Sequence, residues 1–190
     1  MRVLSGLARG VPLKTVPDFD TRPILDRIKK SLFSILDSAG LLAGASVADL
    51  YAGTGTLGIE ALSRGAERCL FVERRADAMK LLEANLAKTR LQGGAELRRG
   101  EVGSVLAQIQ GQGPRFDLML YDPPFEFSRE PAHRPALDAE LALAGTLLRP
   151  GGRLMLRCER KAAVPAPEGL TVVRHWTDGP HAMVFFEAKA

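Results

Sequence analysis

Two short stretches of the chain hold residue types at spacings that can do chemistry. In Asp49-Leu50-Tyr51-Ala52-Gly53-Thr54-Gly55-Thr56-Leu57-Gly58, three glycines fall in the order G-x-G-x-x-G. That pattern lets a backbone turn tightly and approach a ligand where a strand runs into a helix. In Asp122-Pro123-Pro124-Phe125, a carboxylate, two residues without an N–H and an aromatic ring stand side by side. The glycine spacing alone suits a dinucleotide, and Glu73 even stands where a ribose-binding carboxylate belongs. Asp49, four residues before Gly53, points elsewhere. It would repel a pyrophosphate, but it would attract the ammonium and sulfonium of S-adenosyl-L-methionine, which carries no phosphate. Glu73 would then accept both ribose hydroxyls, and Glu101 would meet the adenine amino group. The expected cofactor-binding set is Asp49, Tyr51, Ala52, Gly53, Gly55, Gly58, Glu73, Arg74, Glu101, Val102 and Asp122.

Asp122, Pro123, Pro124 and Phe125 read as the catalytic element. The prolines fix the backbone, so the Pro123 carbonyl and the Asp122 carboxylate can both aim at one incoming amino group. An exocyclic base nitrogen is a poor nucleophile because its lone pair is delocalised into the ring. Two acceptors on its hydrogens favour a more tetrahedral nitrogen with its lone pair turned toward a sulfonium methyl. Transfer is then an in-line displacement helped mainly by proximity and orientation. The leaving group is neutral, so no strong base is needed before attack. Phe125 offers a face on which a base can stack.

Other chemistries fit less well. An NAD-dependent oxidoreductase is disfavoured by Asp49 and by the tetrapeptide. A C5-pyrimidine methyltransferase needs a cysteine beside the catalytic proline, and position 125 is Phe. Methylation of adenine or of a protein glutamine stays open, since the same tetrapeptide, commonly with Asn first, serves planar amides. Asp122 tilts toward guanine, whose N1–H and N2–H can both be accepted by one carboxylate. A non-catalytic RNA-binding module also stays open.

The elements that must position these groups follow from apolar periodicity. Strands are expected at 46–51, 68–73, 95–99, 116–121, 153–158, 170–176 and 182–188, and helices at 56–64, 76–90, 103–110 and 134–148. Strands alternating with helices imply an α/β fold with a parallel sheet covered on both faces, and the last two strands imply a terminal antiparallel hairpin. Before residue 46, a small hairpin pairs 3–4 with 12–15, and a helix at 24–36 turns Ile28, Leu32, Phe33, Ile35 and Leu36 toward the sheet. One domain, 1–190, is expected, with a hairpin-and-helix extension at 1–40 and a cofactor-binding core at 41–190.

Charge is unevenly placed. Residues 1–30 hold seven of the 26 Lys and Arg but three of the 22 Asp and Glu, so the whole formal excess of +4 lies there. A polyanionic partner is one reading of that segment and a solvated basic face is the other. No apolar run is long enough to span a membrane, the first residues lack the apolar core of a signal peptide, and Cys69 and Cys158 sit in apolar runs without a metal or redox motif. No metal site is expected, and a monomer is the default.

The N-terminal residues narrow the reading. Val3-Leu4-Ser5-Gly6, Arg9-Gly10, Leu13-Lys14, Thr21-Arg22-Pro23, Asp26-Arg27 and Leu32-Phe33, with the glycine loop and the tetrapeptide, resemble the RsmD-type bacterial 16S ribosomal RNA guanine-N2 methyltransferases over essentially the whole chain. The resemblance implies a Rossmann-like class I methyltransferase with a seven-stranded, mostly parallel sheet. It also implies S-adenosyl-L-methionine as cofactor and 16S rRNA or the assembling small ribosomal subunit as partner, while a cytoplasmic location is expected from the two thiols in apolar runs, which suit a reduced compartment. It carries cofactor binding onto Asp49, Gly53, Glu73 and Glu101, base binding onto residues 122–125, and RNA contacts onto Arg9, Lys14, Arg22 and Arg27. Arg27 stands beside Asp26, so an ion pair is its alternative role. Glu101 stands where the family usually has Asp, and Trp176-Thr177-Asp178-Gly179-Pro180-His181 departs from the family's usual turn.

Overall fold

The computed structural model describes residues 1–15, 26–113, 115–165 and 167–189. In chain order its elements are α1 (Asp26–Ser38), β1 (Ser46–Leu50), α2 (Thr56–Ser63), β2 (Arg68–Glu73), α3 (Ala76–Thr89), β3 (Ala95–Arg99), α4 (Val102–Ile109), β4 (Phe116–Tyr121), α5 (Glu126–Arg129), α6 (Arg134–Thr146), β5 (Leu148–Glu159), β6 (Leu170–Asp178) and β7 (His181–Ala188). The strands form one sheet in the order β3-β2-β1-β4-β5-β7-β6. β1 to β5 pair in parallel, and β7 runs antiparallel between β5 and β6. The expected seven-stranded, mostly parallel sheet with a terminal antiparallel hairpin is the observed one. No helix among the described residues is long and apolar enough to cross a membrane.

Each sheet face has its own core. On one face α1, α2, α3 and the N-terminal residues pack together through Val3, Leu13, Leu32, Ile59 and Leu82. On the other, α4 and α6 pack through Leu106, Leu137 and Leu141. β1 is buried along its whole length, as a central strand covered on both faces must be. The chain reverses its progress across the sheet at β1, stepping outward to β2 and β3 and then back to β4. Ligands of such sheets bind outside the carboxyl ends of the strands at that reversal, where the glycine loop and the tetrapeptide both lie.

Differences from the expected elements have local causes. β5 begins at Leu148, ahead of Pro150-Gly151-Gly152, because a register shift between Phe116 and Leu118 absorbs that turn within the ladder. The short α5 follows the tetrapeptide directly. The N-terminal strands pair slightly earlier than expected: Val3 N–H donates to the Val11 carbonyl at 3.0 Å and Leu13 N–H to that of Met1 at 2.9 Å.

That hairpin is fastened to α2. Gly6, at φ +80°, lies so close that a Cβ there would meet the Ser63 carbonyl oxygen at 1.7 Å. The Leu4 and Ser5 N–H groups donate to the Glu60 carboxylate at 2.7 and 3.0 Å, and Ala8 N–H donates to Ser63 Oγ at 2.9 Å. On α1, Ile28, Leu32, Phe33 and Leu36 are buried as expected, while Ile35 is half-buried. Lys29, one of the seven cations of the basic N-terminal segment, is fully buried among them. Its ammonium pairs with Glu60 at 2.9 Å and donates to the Arg2 carbonyl. Burial lowers the Lys29 pKa, and the Glu60 charge opposes that shift.

Removing one partner of a buried pair leaves the other charge stranded. Glu60→Ala is expected to cost about 3–5 kcal/mol in urea unfolding. In hydrogen exchange the Leu4 and Ser5 amides should lose more protection than those of β1, and unchanged stability would mean that Lys29 finds another partner.

Candidate functional site

The loop from β1 to α2 is built around Asp49. Its carboxylate is 1% exposed and accepts the Gly58 N–H at 2.8 Å, satisfying a donor in the first turn of α2. Tyr51 holds a left-handed conformation at φ 65°. The three glycines of the pattern differ in why they are there. A Cβ at Gly58 would meet the Phe71 ring at 2.3 Å and one at Gly55 would meet Leu82 at 2.2 Å, so both are packing positions. A Cβ at Gly53 would meet nothing within 4 Å. Ala52 N–H donates to the Val72 carbonyl at 2.9 Å, tying the loop to the end of β2.

Glu73, at that end, accepts the Gly53 N–H at 2.8 Å with one oxygen and the Arg75 N–H at 2.8 Å with the other. It therefore shapes the loop as well as facing it. Arg74 and Glu101 are exposed at the rim and pair at 3.3 Å, and the buried Val102 begins α4 beside them. The Asp122 N–H donates to the Leu50 carbonyl at 3.3 Å, which brings the tetrapeptide against the start of the loop. Burial pushes the Asp49 carboxyl up to about 8. The Asp122 and Glu73 charges push it the same way, and the Gly58 N–H opposes them.

Two charged residues outside the expected set organise the tetrapeptide and the loop ends beside it. Arg157 of β5, 5% exposed, donates through Nε to the Asp122 carboxylate. Its guanidinium lies 4.7 Å from the centroid of the Phe125 ring, and the His181 ring lies 5.3 Å from the same centroid. Phe125 is thus held by a cation and an imidazole, and Asp122 is oriented from the neighbouring strand. Glu140 of α6 accepts from the Tyr51 hydroxyl at 2.8 Å, from the Tyr121 hydroxyl and from the Gly103 N–H at 3.2 Å. One carboxylate therefore joins the glycine loop, the end of β4 and the start of α4. Burial first, and the Glu140 charge second, raise both tyrosine pKa values, so both hydroxyls stay protonated and donate. One signal could have found these two residues: each is charged at a position where the element's period calls for an apolar side chain. Glu140 lies between Leu137 and Leu141, and Arg157 between Leu156 and Cys158.

The expected RNA-contacting residues are only partly brought together. Arg9 and Lys14 are exposed on the hairpin. Asn85 pins Lys14 by its backbone, accepting its N–H at 2.8 Å and donating to its carbonyl, and also donates to the Thr54 carbonyl of the glycine loop. Arg27 is ion-paired at 2.9 Å, with Asp178 at the end of β6 and not with its neighbour Asp26. Arg22 lies outside the described residues.

The family model described as Conserved hypothetical protein 95 matches residues 1–187. The chain is 30% identical over 190 residues to a Bacillus subtilis protein named as an rRNA methyltransferase, YlbH, covering 100% of each. It is 31% identical over 184 residues to ribosomal RNA small subunit methyltransferase D of Haemophilus influenzae, covering 94% of this chain and 89% of that one. Among solved structures, an Escherichia coli protein described as a methyltransferase, YhhF, superposes with a TM-score of 0.83 at 28% identity, covering 100% and 98% of the two chains.

The raised Asp49 value has a definite sign. The folded chain holds a proton that the unfolded chain releases, so this group's stabilisation is fully present below 3.8 and is lost as pH rises through about 8. Asp49→Asn removes the titration while keeping an oxygen for the Gly58 N–H. The wild type is expected to lose stability relative to this variant between about pH 4 and about pH 8 in urea unfolding. Parallel profiles would show that Asp49 is ionised throughout.

Proposed function

The chain belongs to the RsmD-type methyltransferase family, and from that premise we propose that it transfers a methyl group from S-adenosyl-L-methionine to the exocyclic N2 of a guanine in 16S ribosomal RNA. The observation that carries this reading is the Asp122 carboxylate, aimed by Arg157 and joined through its own backbone to the end of the Asp49 strand. The names of the relatives support ribosomal RNA of the small subunit as the substrate.

The loop suits this cofactor. The open space over Gly53 admits close approach, Glu73 gives the electronegative surroundings that an ammonium and a sulfonium favour, and cations bound beside Asp49 would draw off the proton that burial holds on its carboxyl. Asp49, Tyr51, Ala52, Gly53 and Gly55 hold its methionine end, with Gly58 keeping α2 close. Glu73 and Arg74 serve the ribose, and Glu101 and Val102 the adenine. Bound there, S-adenosyl-L-methionine supplies an electrophilic methyl on a leaving group that departs neutral.

The protein's own residues do the rest. Asp122 and the Pro123 carbonyl accept the hydrogens of the amino group and turn its lone pair outward, and as the N–C bond forms the nitrogen sheds one of those protons along the Asp122 hydrogen bond to water. Pro124 stiffens that backbone, and Phe125 stacks the base. Arg157 keeps Asp122 from rotating away, and Glu140 keeps the loop and the tetrapeptide at a fixed separation. Arg9, Lys14 and Arg22 contact phosphates, with Arg27 contributing what its pairing with Asp178 leaves. Residues 1–40 act as the RNA-binding part of the single domain 1–190, working as a cytoplasmic monomer on 16S rRNA or the assembling small subunit.

Asp122→Ala is expected to abolish radiolabelled methyl transfer to 16S rRNA while calorimetry still detects S-adenosylhomocysteine binding. Wild-type turnover by this variant would remove the catalytic assignment. Replacing both Arg9 and Lys14 by Ala is expected to flatten the salt dependence of RNA binding, lowering its log–log slope by about 0.7–0.9 for each phosphate no longer neutralised. An equally steep slope would place the phosphate contacts on another surface.

A further inference from the structure

α1 and β6 leave between them a groove of about 380 Å³, lined in part by Lys30, Ser31, Ser34, Ser38, Arg174 and Trp176. No carboxylate lines it among the described residues. Lys30 and Arg174 are exposed, while Trp176 is half-buried with part of its ring against the core. Two acids of the flanking elements are answered elsewhere: Asp178 by Arg27, and Asp37 by Arg64. The groove is therefore a cationic, hydroxyl-rich channel with one large aromatic ring in its wall.

Its position relative to the tetrapeptide follows from strand register. Tyr121 pairs with Leu156, so Asp122 and Arg157 are level on adjacent strands. Arg157 pairs with Met183, and Met183 pairs with Trp176. Directly paired residues point to one face of a sheet, and Met183 lies in the core beneath α1. Asp122, Arg157, Met183 and Trp176 thus form a row across β4, β5, β7 and β6, spanning about 14 Å at a strand spacing of ~4.8 Å. A short run of nucleotides covers that distance. The row runs on the face that also carries the N-terminal hairpin.

We propose that this groove binds the single-stranded RNA flanking the target base, with Trp176 as a stacking platform for one nucleobase and Lys30 and Arg174 as its phosphate contacts. The proposal rests on the reading that the chain methylates a base in RNA. Stacking on an aromatic ring tolerates any base, and a cationic groove tracks the backbone beside it, which is how single strands are held without reading their sequence. The serine hydroxyls of α1 supply further donors to phosphate oxygens or to the 2′-OH.

Trp176 is the chain's single tryptophan, so its fluorescence reports on this groove alone. Titrating the full-length protein with a mixed-sequence single-stranded RNA oligonucleotide is expected to quench that emission saturably, with an affinity that matches binding measured by an independent method. Trp176→Ala is expected to weaken RNA binding about tenfold, the equivalent of one stacked base. Replacing both Lys30 and Arg174 by Ser, which alters only exposed side chains, is expected to reduce the salt slope by about 1.4. Neither variant should change S-adenosylhomocysteine binding. Unquenched emission at saturating RNA, or an unchanged salt slope in the Ser variant, overturns the groove assignment even if methyl transfer to 16S rRNA proceeds. Quenching with no methyl transfer to any ribosomal RNA overturns the activity instead and leaves the groove standing.

Discussion

Glu60 is fully buried, with four donors directed at it: the Leu4 and Ser5 N–H groups, the Lys29 ammonium and the Arg64 guanidinium. A carboxylate with no access to water tolerates that position only when its lone pairs are occupied. The donors come from three separate parts of the chain. The N-terminal hairpin, α1 and α2 therefore share one electrostatic joint, and the hairpin's cations have a fixed bearing on the glycine loop because of it. Asn85 repeats the device on α3, where one amide fastens both Lys14 and Thr54. Among the described residues, the basic N-terminal segment is tied to the body by buried polar contacts at Leu4, Ser5, Lys14 and Lys29.

The charges sort by depth. Asp49, Glu73, Asp122 and Glu140 gather around the carboxyl ends of β1, β2 and β4, each engaged by a backbone N–H, a tyrosine or Arg157. Arg9, Lys14, Lys30 and Arg174 face outward on the α1 side. A cationic small molecule and a polyanion can then occupy adjoining places without competing for the same groups. Arg157 stands at the boundary, a cation among carboxylates that answers Asp122 and lies over Phe125.

The fold is legible in the sequence because its signals are local. Buried strands read as apolar runs, helices as period-3.6 stripes, and turns as glycine and proline. Asp49 and the tetrapeptide are legible because their chemistry lies within a few consecutive residues. The glycine pattern cannot separate two cofactors, since the packing of Leu82 and Phe71 already demands glycine at 55 and 58. The polar residues that hold the site together escape a linear reading, because their partners are distant in sequence: 89 residues separate Glu140 from Tyr51, 71 separate Asn85 from Lys14, and 35 separate Arg157 from Asp122. A charged residue in an apolar stripe shows that it needs a partner, but only the topology says which. Arg27 illustrates the same limit, since its neighbour Asp26 is the obvious mate and the end of β6 supplies the actual one.

The sheet ends in two strands that differ in kind. On β3, Glu96 and Arg98 pair along the open side, so charged side chains line it. On β6, Val172 and Val173 are 43% and 46% exposed, which on a flat strand would invite another chain to pair with it. A break in register between Val172 and Arg174 interrupts the ladder there, and Arg174 follows at once with a charge that a second copy would meet with its own. Neither border of the sheet is therefore a good template for strand addition, and the aggregation hazard that exposed valines carry is contained by one extra residue.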